Sequence, residues 1–246
     1  MTDYTPEPLP AIDVEEFRKV VQTRRSIRRF TAETIPEDVL QDCLELALLS
    51  ANSSNLQPWE FHRVVAPEMR SAVVKACLSQ NAAKTAAELI VIVARTQTWK
   101  RACEQNLEHW PEPTLPRIVE NYYKKAAKIH YGRLPLDRFG VLKKAVRALS
   151  GLQRPMPRWP NSQADMELWA TKSTSLAAQT LMLALRAHGY DSCPMEGFDE
   201  KRLRKAVPLP KDGVIVMVLA AGKRADNGVY HRRYRMSSDH FVIEHR

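Results

Sequence analysis

Ser53-Ser54-Asn55-Leu56-Gln57-Pro58-Trp59-Glu60-Phe61 crowds hydroxyl and amide side chains ahead of a proline and two aromatic rings, with Asn52 just before them. Pro58, Trp59 and Phe61 read as a turn that feeds a core strand. The polar density from Asn52 to Gln57 exceeds what a turn needs and suits the edge of a flat heteroaromatic ligand. Toward the N-terminus, Arg24-Arg25-Ser26-Ile27-Arg28 offers guanidinium forks and a hydroxyl. Forks of this kind meet a phosphate bidentately, where lysine acts as a point charge. The same cations also suit the end of a helix dipole. Toward the C-terminus, Cys193-Pro194-Met195 is stiff and apolar, and Glu196-Gly197-Phe198 then removes a side chain at Gly197. Backbone N–H groups there either face a ligand or form a turn before a helix capped by Asp199. Arg232-Arg233-Tyr234-Arg235 places Arg233 and Arg235 at alternating positions. They are either a second approach to the same phosphate or a solvated basic tail.

Around these stretches, periodicity outlines the elements. Val14, Phe17, Val20 and Val21 recur at helical spacing, which predicts a helix over Val14–Thr23. The Arg segment follows it, and if extended it projects Arg24, Ser26 and Arg28 to one side. Thr34-Ile35-Pro36-Glu37 has capping-box spacing and opens a helix to about Ser50. Phe61–Val65 predicts a short strand, Pro67 begins a helix to about Ser79, and Leu89–Ala94 is apolar throughout, as in a strand covered on both faces. Residues 96–164 differ, with Trp99, Trp110 and Trp159, many basic residues and most internal prolines. They read as a helical insertion or lid, with helices at Trp99–His109, Arg117–Tyr131 and Leu136–Leu149. A long helix from Asp165 to about His188 ends at Gly189, a suitable C-cap. Gly213–Ala221 predicts another buried strand, and 222–246 a basic, irregular arm. Glycine-rich nucleotide loops of the G-x-G-x-x-G and G-x-x-x-x-G-K-[ST] types are missing.

At 246 residues, 44% hydrophobic and 26% charged, the chain has the composition of one ordinary globular domain. Its formal charge of +9 raises nucleic acid or an anionic ligand as partners. The basic residues are dispersed among acids, which argues against a duplex-binding stripe. Cys43, Cys77, Cys103 and Cys193 have no C-x-x-C spacing, so no metal site and no disulfide framework is expected. The acidic, proline-rich start lacks a signal-peptide pattern, and no run approaches the about 18 apolar residues of a membrane span. A cytoplasmic setting is expected.

The Arg-Ser-Arg segment, the Ser-Asn-Gln-Pro-Trp loop, the long helix, Pro-x-Glu-Gly-Phe and the terminal Arg-x-Arg, in this order, resemble the nitroreductase family of flavin enzymes. The resemblance implies an α+β fold with a central, mostly antiparallel sheet flanked by helices, in a single domain spanning 1–246. It also implies a homodimer with FMN at the subunit interface. By similarity Arg24, Arg25, Ser26, Arg28, Arg233 and Arg235 hold the flavin phosphate. Ser53, Ser54, Asn55 and Gln57 belong to the loop facing the partner subunit's flavin, and Met195, Glu196 and Gly197 lie along the ring. Gln80 or Asn81 meets the pyrimidine edge. The implied reaction is ping-pong: NAD(P)H reduces FMN, then a nitroaromatic, quinone or related small acceptor takes two electrons, with no catalytic side chain. Other readings are a non-enzymatic flavin sensor, a family member performing another flavin reaction such as reductive dehalogenation, and a basic nucleic-acid-binding protein. Cys193, beside the flavin loop, is either a small buried thiol or a redox group.

Overall fold

The computed structural model describes residues 8–132, 145–146, 148–152, 155, 157 and 159–246. Helix α1 (Val14–Thr23) matches its expected bounds and is capped by Asp13, whose Oδ1 accepts from Glu15 N at 2.8 Å. None of its residues is buried, and Val14, Phe17 and Val21 lie open on its surface. Helix α2 (Glu37–Leu48) starts after Pro36 at the N-cap. The expected capping box at Thr34 does not form, because Thr34 lies two residues upstream of that N-cap and no side chain caps the helix.

Strand β1 (Trp59–Arg63) begins two residues earlier than the pattern predicts. Helix α3 (Pro67–Ala76) carries Pro67 at its first turn and stops short of Ser79, where Leu78 and Ser79 take left-handed backbone angles. A short helix, α4 (Asn81–Thr85), was not legible in the pattern. Strand β2 (Glu88–Arg95) follows, then α5 (Trp99–Glu108), α6 (Arg117–Asn121), a π turn (Tyr122–Ala126) and α7 (Ala127–Tyr131). The helix expected over Leu136–Leu149 lies largely outside the described residues.

Helix α8 (Gln163–Ala187) opens with a reciprocal box: Asp165 N donates to Ser162 Oγ at 3.1 Å and Ser162 N to Asp165 Oδ2 at 3.0 Å. It ends at Gly189, whose φ of 82° lets Tyr190 N return to Leu185 O at 2.8 Å. Strand β3 (Asp191–Met195), helix α9 (Glu200–Ala206) and strand β4 (Gly213–Gly222) complete the fold. Pro194 masked β3 in the sequence; proline is tolerated there because β3 is an edge strand.

The sheet order is β1-β2-β4-β3, with every pair antiparallel. Period-2 alternation sends Leu89, Val91 and Val93 to one face, against α3, α4 and α9, and Ile90 and Ile92 to the other, against α2 and α8. This is the α+β architecture expected. The helices from Trp99 to Tyr131 pack Trp99, Cys103, Tyr123 and Tyr131 on Leu56, Met166 and Trp169 in a further cluster. Among the described residues no helix is long and apolar enough to cross a membrane.

All four cysteines are free and buried. Burial raises the thiols of Cys43, Cys77 and Cys103 to about 11 and pushes Cys193 upward, against the pull of Arg28. At pH 8 a thiol of that kind is thiolate about one part in 10³. The folded protein is therefore expected to give almost no reaction with a chromogenic disulfide reagent, and all four thiols after denaturation. Rapid titration of even one thiol in the folded protein would contradict this account of the core.

Candidate functional site

The Arg segment leaves α1 through the cap residue Arg24 and runs beside β3, where Ile27 N donates to Ser192 O at 3.0 Å. The arm after β4 closes it from the other side: Arg28 N donates to Gly228 O at 2.8 Å and Thr31 N to Lys223 O at 2.9 Å. Ile27 and Phe30 turn into the core and so anchor the segment. Arg24, Arg25, Ser26 and Arg28 then face Arg233 and Arg235 across a cavity of about 400 Å³, which Tyr230 also lines. Residues from the two ends of the chain thus meet at one place.

Among the described residues no carboxylate lines this cavity. Arg25 Nη2 donates to His231 O at 2.7 Å, and an Arg233 Nη2 donates to Arg24 O. Burial, then Arg235 and Arg25, holds Arg24 below the ordinary guanidinium range. Arg233 is lowered by burial and by Arg235, Arg25 and Arg24. The arginines are mutually repelled, an arrangement that an anion relieves.

Arg28 and Tyr230 also line a second cavity, of about 350 Å³, with Gln80, Asn81 and Ala82. Arg28 reaches Cys193 Sγ at 3.3 Å. Gln80 Nε2 donates to Gly197 O at 2.9 Å, and Asn81 Nδ2 to Tyr230 OH at 3.4 Å. Both amides are therefore at this cavity. Met195 is buried at the end of β3, Glu196 and Gly197 are exposed, and Phe198 N turns back on Glu196 O at 3.1 Å.

The Ser53–Asn55 turn stands elsewhere, against the helices after β2. Ser53 Oγ lies 3.1 Å from Tyr131 OH, Ser54 Oγ lies 3.0 Å from Tyr131 OH and also meets Tyr122 OH, and Tyr123 OH donates to Ser54 O at 3.1 Å. Asn55 Nδ2 donates to Asn106 Oδ1 at 2.6 Å, while Gln57 N donates to Asn52 Oδ1 at 2.9 Å. Ser54, Asn55 and Gln57 all have positive φ. Within one chain this turn does not line the arginine cavity.

Sequence reasoning missed the ion pairs beneath the site. Asp191, with its side chain 1% exposed, accepts from Arg186 Nη1 at 2.9 Å and from Arg224 Nη2 at 2.7 Å. Arg224 Nη2 also donates to Thr23 O at 3.2 Å and so ties down the start of the Arg segment. The available signal was an acid directly after a helix end, in a stretch otherwise apolar.

An antiparallel sheet between helices, with an arginine cavity that no described carboxylate lines adjoining one lined by amides, defines an α+β protein whose site has the chemistry to suit a phosphorylated planar ligand. The chain belongs to the nitroreductase family, whose sequence model matches residues 21–223, and is with it an oxidoreductase. It is 28% identical over 220 residues to a Thermus thermophilus NADH dehydrogenase, covering 89% of this chain and 91% of that one. It is 23% identical over 221 residues to an oxygen-insensitive NADPH nitroreductase of Helicobacter pylori, covering 87% and 90%. A solved structure from Exiguobacterium sibiricum, in complex with FMN, superposes with a TM-score of 0.64 at 25% identity and covers 96% of this chain and 99% of that one.

Proposed function

We propose that the protein is an FMN-dependent oxidoreductase that oxidises NADH or NADPH and reduces a nitroaromatic, quinone or related small acceptor in ping-pong order. The observation that carries this reading is the pair of cavities joined at Arg28 and Tyr230, cationic at one end and amide-lined at the other. A flavin mononucleotide has the same polarity along its length. At Gly197 an added Cβ would sit 3.5 Å from Gln80 Nε2, an ordinary contact, so the chain's own packing does not demand glycine there. A ring lying against the backbone does.

In this reading Arg24, Arg25, Ser26, Arg28, Arg233 and Arg235 hold the phosphate, and Met195, Glu196 and Gly197 lie along the ring. FMN, when bound, supplies the two-electron hydride chemistry. The chain's part is to bind, orient and exclude water: the guanidiniums anchor one end, and peptide N–H groups near Gly197 face the ring, where fixed donors favour added negative charge. Gln80 and Asn81 set the position of the ring edge. No side chain needs to act as general acid or base.

The same reading makes the protein a cytoplasmic homodimer, a single domain over 1–246 in which 96–164 is a helical lid and 222–246 an arm. Val14, Phe17 and Val21 of α1, with Leu168 and Leu176 of α8, are exposed apolar side chains that a second copy covers. Dimerisation brings Ser53, Ser54, Asn55 and Gln57 to the partner's flavin.

The test is an absorption spectrum of the purified protein followed by anaerobic titration with NADPH and NADH. A flavin spectrum that bleaches with either nucleotide is the expected result. A flavin spectrum that bleaches with neither reduces the role to flavin binding, and no flavin after incubation with FMN overturns the assignment.

A further inference from the structure

A separate cavity, of about 450 Å³, lies between the turn at 55–57 and α5. Thr98, Arg101, Gln105 and His109 line it, spaced three, four and four residues apart and so stacked on one helix face. Gln57 and the buried Trp59 line it from the turn and β1. As in the arginine cavity, no carboxylate lines it among the described residues. Elsewhere Arg63, Arg95, Arg186, Arg204 and Arg224 are each paired with an acid, whereas Arg101 has no ion pair or hydrogen bond among the described residues.

The chemistry on offer is one permanent guanidinium, an imidazole and amides beside an aromatic ring, with no counter-charge among the described residues. That set fits a phosphate monoester carried on a nucleotide. The cavity at Trp99 and Lys124 also holds Lys100 and Lys128, but it offers point charges rather than a guanidinium fork, Glu104 lines it and Lys124 is paired with Glu120.

Two phosphorylated ligands are required by the reaction proposed above, on which this inference rests. The flavin phosphate takes the arginine cavity, and the cavity on α5 offers the donor a cation that no described acid neutralises. One relative is named for NADH and another for NADPH, so the family fold alone does not choose between them. We propose that this cavity binds the 2′-phosphate of NADPH through Arg101, assisted by Gln105 and His109, and makes NADPH the preferred donor.

The experiment uses the flavin-loaded protein, its Arg101→Ala and Arg101→Lys variants, and two probes. Calorimetric binding of adenosine 2′,5′-bisphosphate is compared with that of 5′-AMP, and kcat/KM for NADPH with that for NADH. The bisphosphate is expected to bind about tenfold or more tighter than AMP, the order of one charge-assisted hydrogen-bond set. Both ratios are expected to collapse toward one in Arg101→Ala and to recover in part in Arg101→Lys. Arg101 is exposed, so the variants keep the fold, which circular dichroism checks. Ratios unmoved by Arg101→Ala, or no preference for the bisphosphate, overturn the proposal. If neither donor is oxidised yet Arg101 still governs preference for the bisphosphate, the cavity assignment stands and the reductase reading falls.

Discussion

Asp191→Asn is expected to destabilise the protein by about 3 kcal/mol, the low end for breaking a buried ion pair, and to lower its melting temperature by about 6–12 °C. The carboxylate is enclosed, with its side chain 1% exposed, and it alone answers two guanidiniums, Arg186 and Arg224. An amide keeps the shape but turns an N–H toward one of them and leaves both charges uncompensated. The low end applies because these arginine side chains are 25% and 34% exposed and keep part of their hydration. The loss also reaches the site, since Arg224 holds Thr23 O ahead of Arg24, so flavin affinity falls with stability. Thermal unfolding at matched pH and salt checks this. A shift under about 2 °C would show that solvent already screens the network.

Arg24→Ala is expected to separate binding from stability. Flavin mononucleotide should bind about 10–100-fold more weakly, as when one charged hydrogen-bonding partner is lost. The flavin-free protein should be as stable as the parent or more so. Burial and its neighbours Arg235 and Arg25 lower the Arg24 guanidinium, which means the fold disfavours its charged form. A cation whose pKa falls on folding penalises the folded state at every pH below that folded value. Arginine stays charged across the accessible range, so the penalty shows no pH window. Salt is the better probe: raising ionic strength should stabilise the flavin-free parent more than Arg24→Ala, because it screens the cluster. Fluorescence titration with FMN and melting curves at low and high salt read both halves. If flavin affinity is unchanged, Arg24 is only a basic helix terminus.

Local patterns carried much of the fold. α1 ends at Thr23 as its apolar spacing predicts, and Gly189 closes α8 in the left-handed conformation that a C-cap requires. The unbroken apolar runs at Leu89–Ala94 and Gly213–Ala221 became the two central strands, since only strands covered on both faces lack polar alternation. Strand β3 was hidden by Pro194, whose missing N–H matters only once its edge position is known. The Thr34 capping box failed for a comparable reason. A spacing rule gives the residues able to cap a helix, and the start of the helix, after Pro36, decides whether they do.

At the site the division is sharper. The sequence by itself determined the chemical inventory: arginine forks in two segments, a glycine after Pro194-Met195-Glu196, and a polar turn before Trp59. Those choices are local, because a phosphate calls for guanidinium and a close backbone approach calls for glycine. Only the tertiary structure decided that Arg24 and Arg235, at opposite ends of the chain, share one cavity with no carboxylate among its described lining residues. It alone placed Asp191 beneath that cavity with two arginines, brought Gln80 to Gly197, and left Arg101 unpartnered among the described residues. Charge compensation and burial depend on which residues meet in space, and strand order and helix packing set those meetings, over 5 and 33 residues for Asp191 with Arg186 and Arg224 and over 117 for Gln80 with Gly197.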